Sequence, residues 1–75
     1  MIYDLAVFEK RDGMVCSEKV IKGHVSLPLA MKECERDSNC GGIFDVDCKG
    51  NMFWTCSGKM KEADLARTCA WEKGI

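Results

Sequence analysis

The sequence predicts an α+β fold: a small antiparallel sheet, stapled by disulfides and packed against one helix. Three features of the 75-residue chain point there. Six cysteines occur, an even number, and none of them falls in a C-x-x-C pair. A single stretch, residues 26–36, places its apolar residues at helical spacing. Other runs alternate with period two, and their cysteines and large apolar residues share one parity.

A chain this short makes a single domain, residues 1–75, whose core barely exceeds an ordering cost of roughly 1.5 kcal/mol per residue. Cysteines are the natural staples. Structural zinc sites present their ligands in tight pairs, which are missing, and His24 is the lone histidine, so disulfides are expected and metal or other cofactors are not. Disulfides persist in oxidising compartments, so the protein is expected to be secreted or extracellular. Residues 1–8 lack the basic start of a signal peptide and run into Glu9-Lys10-Arg11-Asp12. A mature form to which Met1 was added is the expectation.

Hydrophobic residues at 47% and charged residues at 31% describe an ordered, soluble globule. Eleven Lys and Arg against twelve Asp and Glu leave a net charge of -1, without the positive excess that nucleic-acid or polybasic membrane binding demands. No apolar run approaches the ~20 residues of a transmembrane helix.

Residues 2–8 suit a strand. Arg11-Asp12-Gly13 signals a turn into Met14-Val15-Cys16, a strand-like run that extends towards Val20-Ile21. Ser26 then supplies a helix N-cap, and Pro28, the sole proline, is tolerated in a first turn because no intrahelical bond needs its missing N–H. Leu27, Ala30, Met31 and Cys34 form the apolar stripe, and Lys32, Glu33, Glu35 and Arg36 cover the rest. Asp37-Ser38-Asn39 and Gly41-Gly42 end the helix.

A hairpin follows: residues 43–48 out, Lys49-Gly50-Asn51 as the turn, and residues 52–56 back. With the cysteines inward, Phe44, Val46, Cys48, Met52, Trp54 and Cys56 share the buried face. Ile43, Asp45, Asp47, Phe53 and Thr55 then face out. Along residues 68–73, Cys69 and Trp71 point in while Ala70 and Glu72 point out. One buried sheet face would thus pack on the Leu27, Ala30 and Cys34 side of the helix. Residues 57–67 are polar, with a short helical turn expected over 62–67.

The run Leu29-Ala30-Met31-Lys32-Glu33-Cys34-Glu35-Arg36-Asp37-Ser38-Asn39-Cys40-Gly41-Gly42-Ile43 resembles the centre of a PAN/apple domain. The likeness covers residues 16–71 and is tightest over 26–56. It implies an antiparallel sheet cradling one helix, and binding of an extracellular protein or glycan. It also implies a disulfide pattern in which Cys34 matches with Cys40 and Cys16 with Cys69. Ala30 stands where many members carry a further helix cysteine, which leaves Cys48 and Cys56 to close the hairpin. Cys16–Cys69 would close the longest loop and contribute about 4 kcal/mol.

No catalytic set is apparent. His24 lies between Gly23 and Val25 without a partner and reads as a surface residue, and oxidised thiols are not nucleophiles. Asp45, Asp47 and Gly50 match part of an EF-hand loop, but Lys49 replaces a ligand and Cys56 stands in place of the bidentate Glu, so a solvated acidic strand face is expected. Trp54 and Trp71 share the parity of the cysteines and read as core rather than as sugar-stacking platforms. Phe53, Ile43 and Thr55 make an outward strip flanked by Asp45, Asp47 and Lys49. That strip is either a partner surface or the seat of an extra layer formed by the N-terminal strand. Lys49, Lys59 and Lys61 offer a small basic patch, or an ordinary solvated loop.

The expected function is therefore that of a secreted, non-enzymatic recognition module working through its loops and outer sheet face. Its rival is a free-standing toxin, defence peptide or protease inhibitor, with Lys59 and Lys61 on the segment between Cys56 and Cys69 as the inhibitory loop.

Overall fold

The computed structural model describes residues 8–63 and 67–74. The strand expected over 2–8 lies outside them save for Phe8. So does part of the helical turn expected over 62–67, although Glu62 itself is in a strand.

The elements run β1 (Phe8–Lys10), β2 (Met14–Cys16), β3 (Lys19–His24), α1 (Leu27–Arg36), β4 (Cys40–Asp45), a 3-10 turn (Val46–Cys48), β5 (Phe53–Ser57), β6 (Met60–Glu62) and β7 (Cys69–Lys73). Five strands form an antiparallel sheet in the order β1-β7-β4-β5-β3. β2 and β6 pair into a separate antiparallel ribbon. One helix on an antiparallel sheet with three disulfides is the α+β architecture expected from the sequence.

The helix begins as its residues dictate. Ser26 Oγ accepts the Leu29 N–H at 3.3 Å, and Pro28 sits in the first turn. It ends at Asp37, ahead of Gly41 and Gly42, which belong to β4. Their smallness serves packing: a Cβ on buried Gly42 would collide with the sulfur of Met60, so the ribbon rests directly on the sheet there. Lys73 Nζ, reaching over from β7, donates to the carbonyls of Cys34 (2.7 Å) and Asp37 (3.1 Å) and so satisfies the negative end of the helix.

The sheet is buried on both faces. Under the helix lie Ala30, Cys34, Cys40, Ile43 and Phe53, joined by Phe8, Leu27, Met31 and Trp71. Beneath the ribbon lie Cys56, Met60 and Ala70, joined by Met14, Cys16 and Phe44. The single-face parity is thereby corrected. Ile43 (0% exposed), Phe53 (9%) and Thr55 (2%) point towards the helix rather than to solvent, and Ala70 (0%) is as deep as any residue. Apolar side chains on both sides of a strand look like alternation around whichever parity holds the cysteines, and here that parity faces the ribbon on β5.

The disulfides follow from this two-sidedness. Cys34–Cys40 is as expected. The others are Cys16–Cys56 and Cys48–Cys69, in place of Cys16–Cys69 and Cys48–Cys56. Cys56 looks towards the ribbon, where β2 carries Cys16. Cys48 lies beyond the end of β4, because the chain leaves the strand at Asp45 and curls through the 3-10 turn. Asp45 is the register partner of Cys69, so the curl brings Cys48 back onto β7 with a Cα–Cα separation of 5.0 Å.

Candidate functional site

Residues 46–51 form an exposed loop at one end of the sheet. Three constraints fix its shape. The Cys48–Cys69 bridge ties its middle to β7. At its base the buried Asp45 carboxylate (4% exposed) accepts the Gly50 N–H at 2.8 Å. Its backbone turns through left-handed conformations at Asp47 (φ 62), Cys48 (φ 55) and Gly50 (φ 76). Two successive non-glycine residues in that region cost on the order of 1 kcal/mol each, and the bridge and the carboxylate hold them there. What results is a preorganised ridge presenting Val46 (49% exposed), Asp47 and Lys49.

The same end of the sheet gathers further apolar surface. His24 pairs with Phe53, the first residue of β5, so Val25 emerges beside the strand that the loop enters. Val25 is 70% exposed, and Leu29, in the first turn of α1, is 51% exposed. The sequence pattern marks neither as a surface residue, and it places Val46 on the buried face, whereas the 3-10 turn exposes it. The available signal was that Leu29 falls off the Ala30 and Cys34 stripe.

The sequence-derived site is divided by the fold. Asp47 and Lys49 sit on the loop as exposed residues. Asp45 is buried at its base as a brace, and Ile43 and Phe53 are core residues, so the outward apolar strip does not form. Lys59 and Lys61 are exposed but follow β5, whereas Lys49 precedes it, and a strand of that length separates them by about 15 Å. The three lysines make no common patch. The segment carrying Lys59 and Lys61 is held close: Gly58 N–H donates to Asn39 O (2.9 Å), Ser17 Oγ donates to Lys59 O, and Lys61 pairs with Val15.

Trp71 packs under the helix against Phe53, ring centroids 5.9 Å apart, with Lys10 Nζ 5.4 Å from its ring centroid. Trp54 is half-buried on the opposite face. His24, expected at the surface, is half-buried and lines a crevice of about 50 Å³ together with Ile21, Lys22, Glu33 and Asp37. Among the described residues no three His, Cys, Asp or Glu side chains converge as a metal site, and no helix is long and apolar enough to cross a membrane. No protein-family model, curated protein or solved structure matches this chain.

Proposed function

We propose that the protein is an extracellular recognition module of PAN/apple type, non-enzymatic, which captures a protein or glycan ligand through residues 46–51 and the neighbouring Val25 and Leu29. The braced loop carries this reading. Binding costs less entropy when the contacting backbone is already ordered, and a bridge, a buried carboxylate and left-handed residues here order a segment that contributes nothing to the core. Three disulfides suit an oxidising compartment. The helix-to-turn bridge Cys34–Cys40 agrees with the PAN/apple resemblance, whereas the other two pairings depart from it.

The mixture of Val46, Val25 and Leu29 with Asp47 and Lys49 favours a protein ligand over a sugar, because interfaces combine apolar anchors with a charged rim. The ribbon covers much of the sheet face that carries Cys56 and Ala70, which favours the loop over that face as the binding surface. Of the segment between Cys56 and Cys69 that the protease-inhibitor rival needs, residues 60–62 pair with β2 and Gly58 bonds back to Asn39, which supports the recognition module over an exposed inhibitory loop there. Arrays of extracellular proteins and of glycans, probed with the wild type and with a Val46→Ala/Asp47→Ala/Lys49→Ala variant, test the reading. A ligand lost with the variant, while its fold persists by circular dichroism, upholds it. A ligand retained unchanged by the variant overturns it.

A further inference from the structure

The two edges of the main sheet differ in kind. β1, described over Phe8–Lys10, is laced with ion pairs: Lys10–Asp12 at 3.4 Å, Arg11–Glu9 at 3.4 Å and Arg11–Glu72 at 3.1 Å. β3 is six residues long and among the described residues pairs only with β5, so that within them its other side leaves backbone N–H and C=O groups without a strand partner. Its side chains are open too, with Val20 43% and Ile21 42% exposed. Lys19 and Lys22 are exposed and form no ion pair among the described residues. Across the crevice Glu33 pairs with Arg36 at 3.7 Å and the Asp37 carboxylate accepts the Asn39 N–H at 2.9 Å, and neither acid forms an ion pair with Lys22. Unspent positive charge therefore lies along an unpaired edge flanked by apolar side chains.

We propose that β3 accepts an extended segment of a partner polypeptide as a sixth strand, and that this segment alternates acidic with apolar residues. Main-chain hydrogen bonds to the open edge supply the pairing. The register shift between Val20 and Lys22 puts Lys19 and Lys22 on one face, opposite Ser57 and Thr55, where they select the acids, and Val20 on the other, opposite Cys56, where it receives the apolar side chains. This surface is separate from the braced loop, and shares with the reading above only that the module binds a polypeptide.

The test is an NMR titration of the intact, oxidised protein with the capped peptide Glu-Val-Glu-Val-Glu-Val. Glu-Pro-Glu-Pro-Glu-Pro serves as a control of equal charge that cannot pair as a strand, and Lys-Val-Lys-Val-Lys-Val as a control of opposite charge. Saturable shifts centred on the amides of residues 19–24, with slowed hydrogen exchange there, are expected from the first peptide alone. A Lys19→Glu/Lys22→Glu variant is expected to bind it about tenfold more weakly and to turn towards the lysine peptide. Absence of saturable shifts, or equal binding of the proline peptide, overturns strand addition. Unchanged binding by a Lys19→Gln/Lys22→Gln variant that now self-associates would show the lysines to be edge guards only, and overturns the selection of acids. Loss of ligand capture by the Val46, Asp47 and Lys49 variant with peptide addition intact would separate the two surfaces.

Discussion

The benzo ring of Trp54 lies across Gly23 on the neighbouring strand: a Cβ on Gly23 would stand 2.6 Å from the ring carbon Cζ3 and 2.9 Å from Cε3. The two residues are register partners in the β3–β5 ladder, and the glycine makes the seat in which the indole rests. Gly→Ala inside a strand ordinarily stabilises by about 0.5–1 kcal/mol, because alanine loses less backbone freedom on folding. Overpacking against the indole costs about 1–3 kcal/mol, which exceeds that gain. Gly23→Ala is expected to lower the denaturation midpoint and to alter the near-ultraviolet dichroism of Trp54. An unchanged midpoint would contradict the close approach.

Peptide mapping without reduction is expected to find Cys16 joined to Cys56 and Cys48 joined to Cys69. The bridges span 40, 21 and 6 residues, for Cys16–Cys56, Cys48–Cys69 and Cys34–Cys40. The chain-entropy relation gives about 4, about 3 and about 2 kcal/mol respectively. Paired serine substitutions should therefore lower stability in that order, measured in guanidinium.

Asp45 and Asp47 stand two residues apart and should respond oppositely to substitution. Asp45→Ala leaves the Gly50 N–H without its acceptor and should cost about 1–3 kcal/mol, with faster amide exchange at Gly50. Asp47→Gly relieves a left-handed residue (φ 62) on an exposed turn. It should be neutral or stabilising by up to about 1 kcal/mol. Equal losses from both would refute the division of labour between brace and ridge.

Lys73→Met keeps most of the aliphatic stem and removes two hydrogen bonds at the C-terminal end of α1. A loss of about 1–2 kcal/mol is expected, with exchange quickening at the last turn of the helix before it quickens in the strands. Lys73→Arg should restore part of it.

The helix was readable from its residues almost to the boundary, because an N-cap serine, a first-turn proline and the Ala30 and Cys34 stripe are local signals. The antiparallel hairpin was also legible. The direction of its faces was not: period-two alternation distinguishes one face from the other but does not say which meets the helix, and burial on both sides removes the polar face that would decide. The path of Cys48 was hidden for another reason. It depends on the strand stopping at Asp45, a tertiary event written in the Asp45–Gly50 contact and in no propensity. Lys49 and Lys59 resembled a patch only because the ends of β5 are close in sequence.

A sheet with a lid on either side has little room for amino-acid change along β4, β5 and β7, which leaves the rim as the place where substitutions should be tolerated. Randomised residues at positions 46, 47, 49 and 51, with Cys48 and Gly50 kept as the anchors of the turn, should thus be carried as passengers by the doubly covered sheet, which makes this small chain a natural platform for displayed libraries.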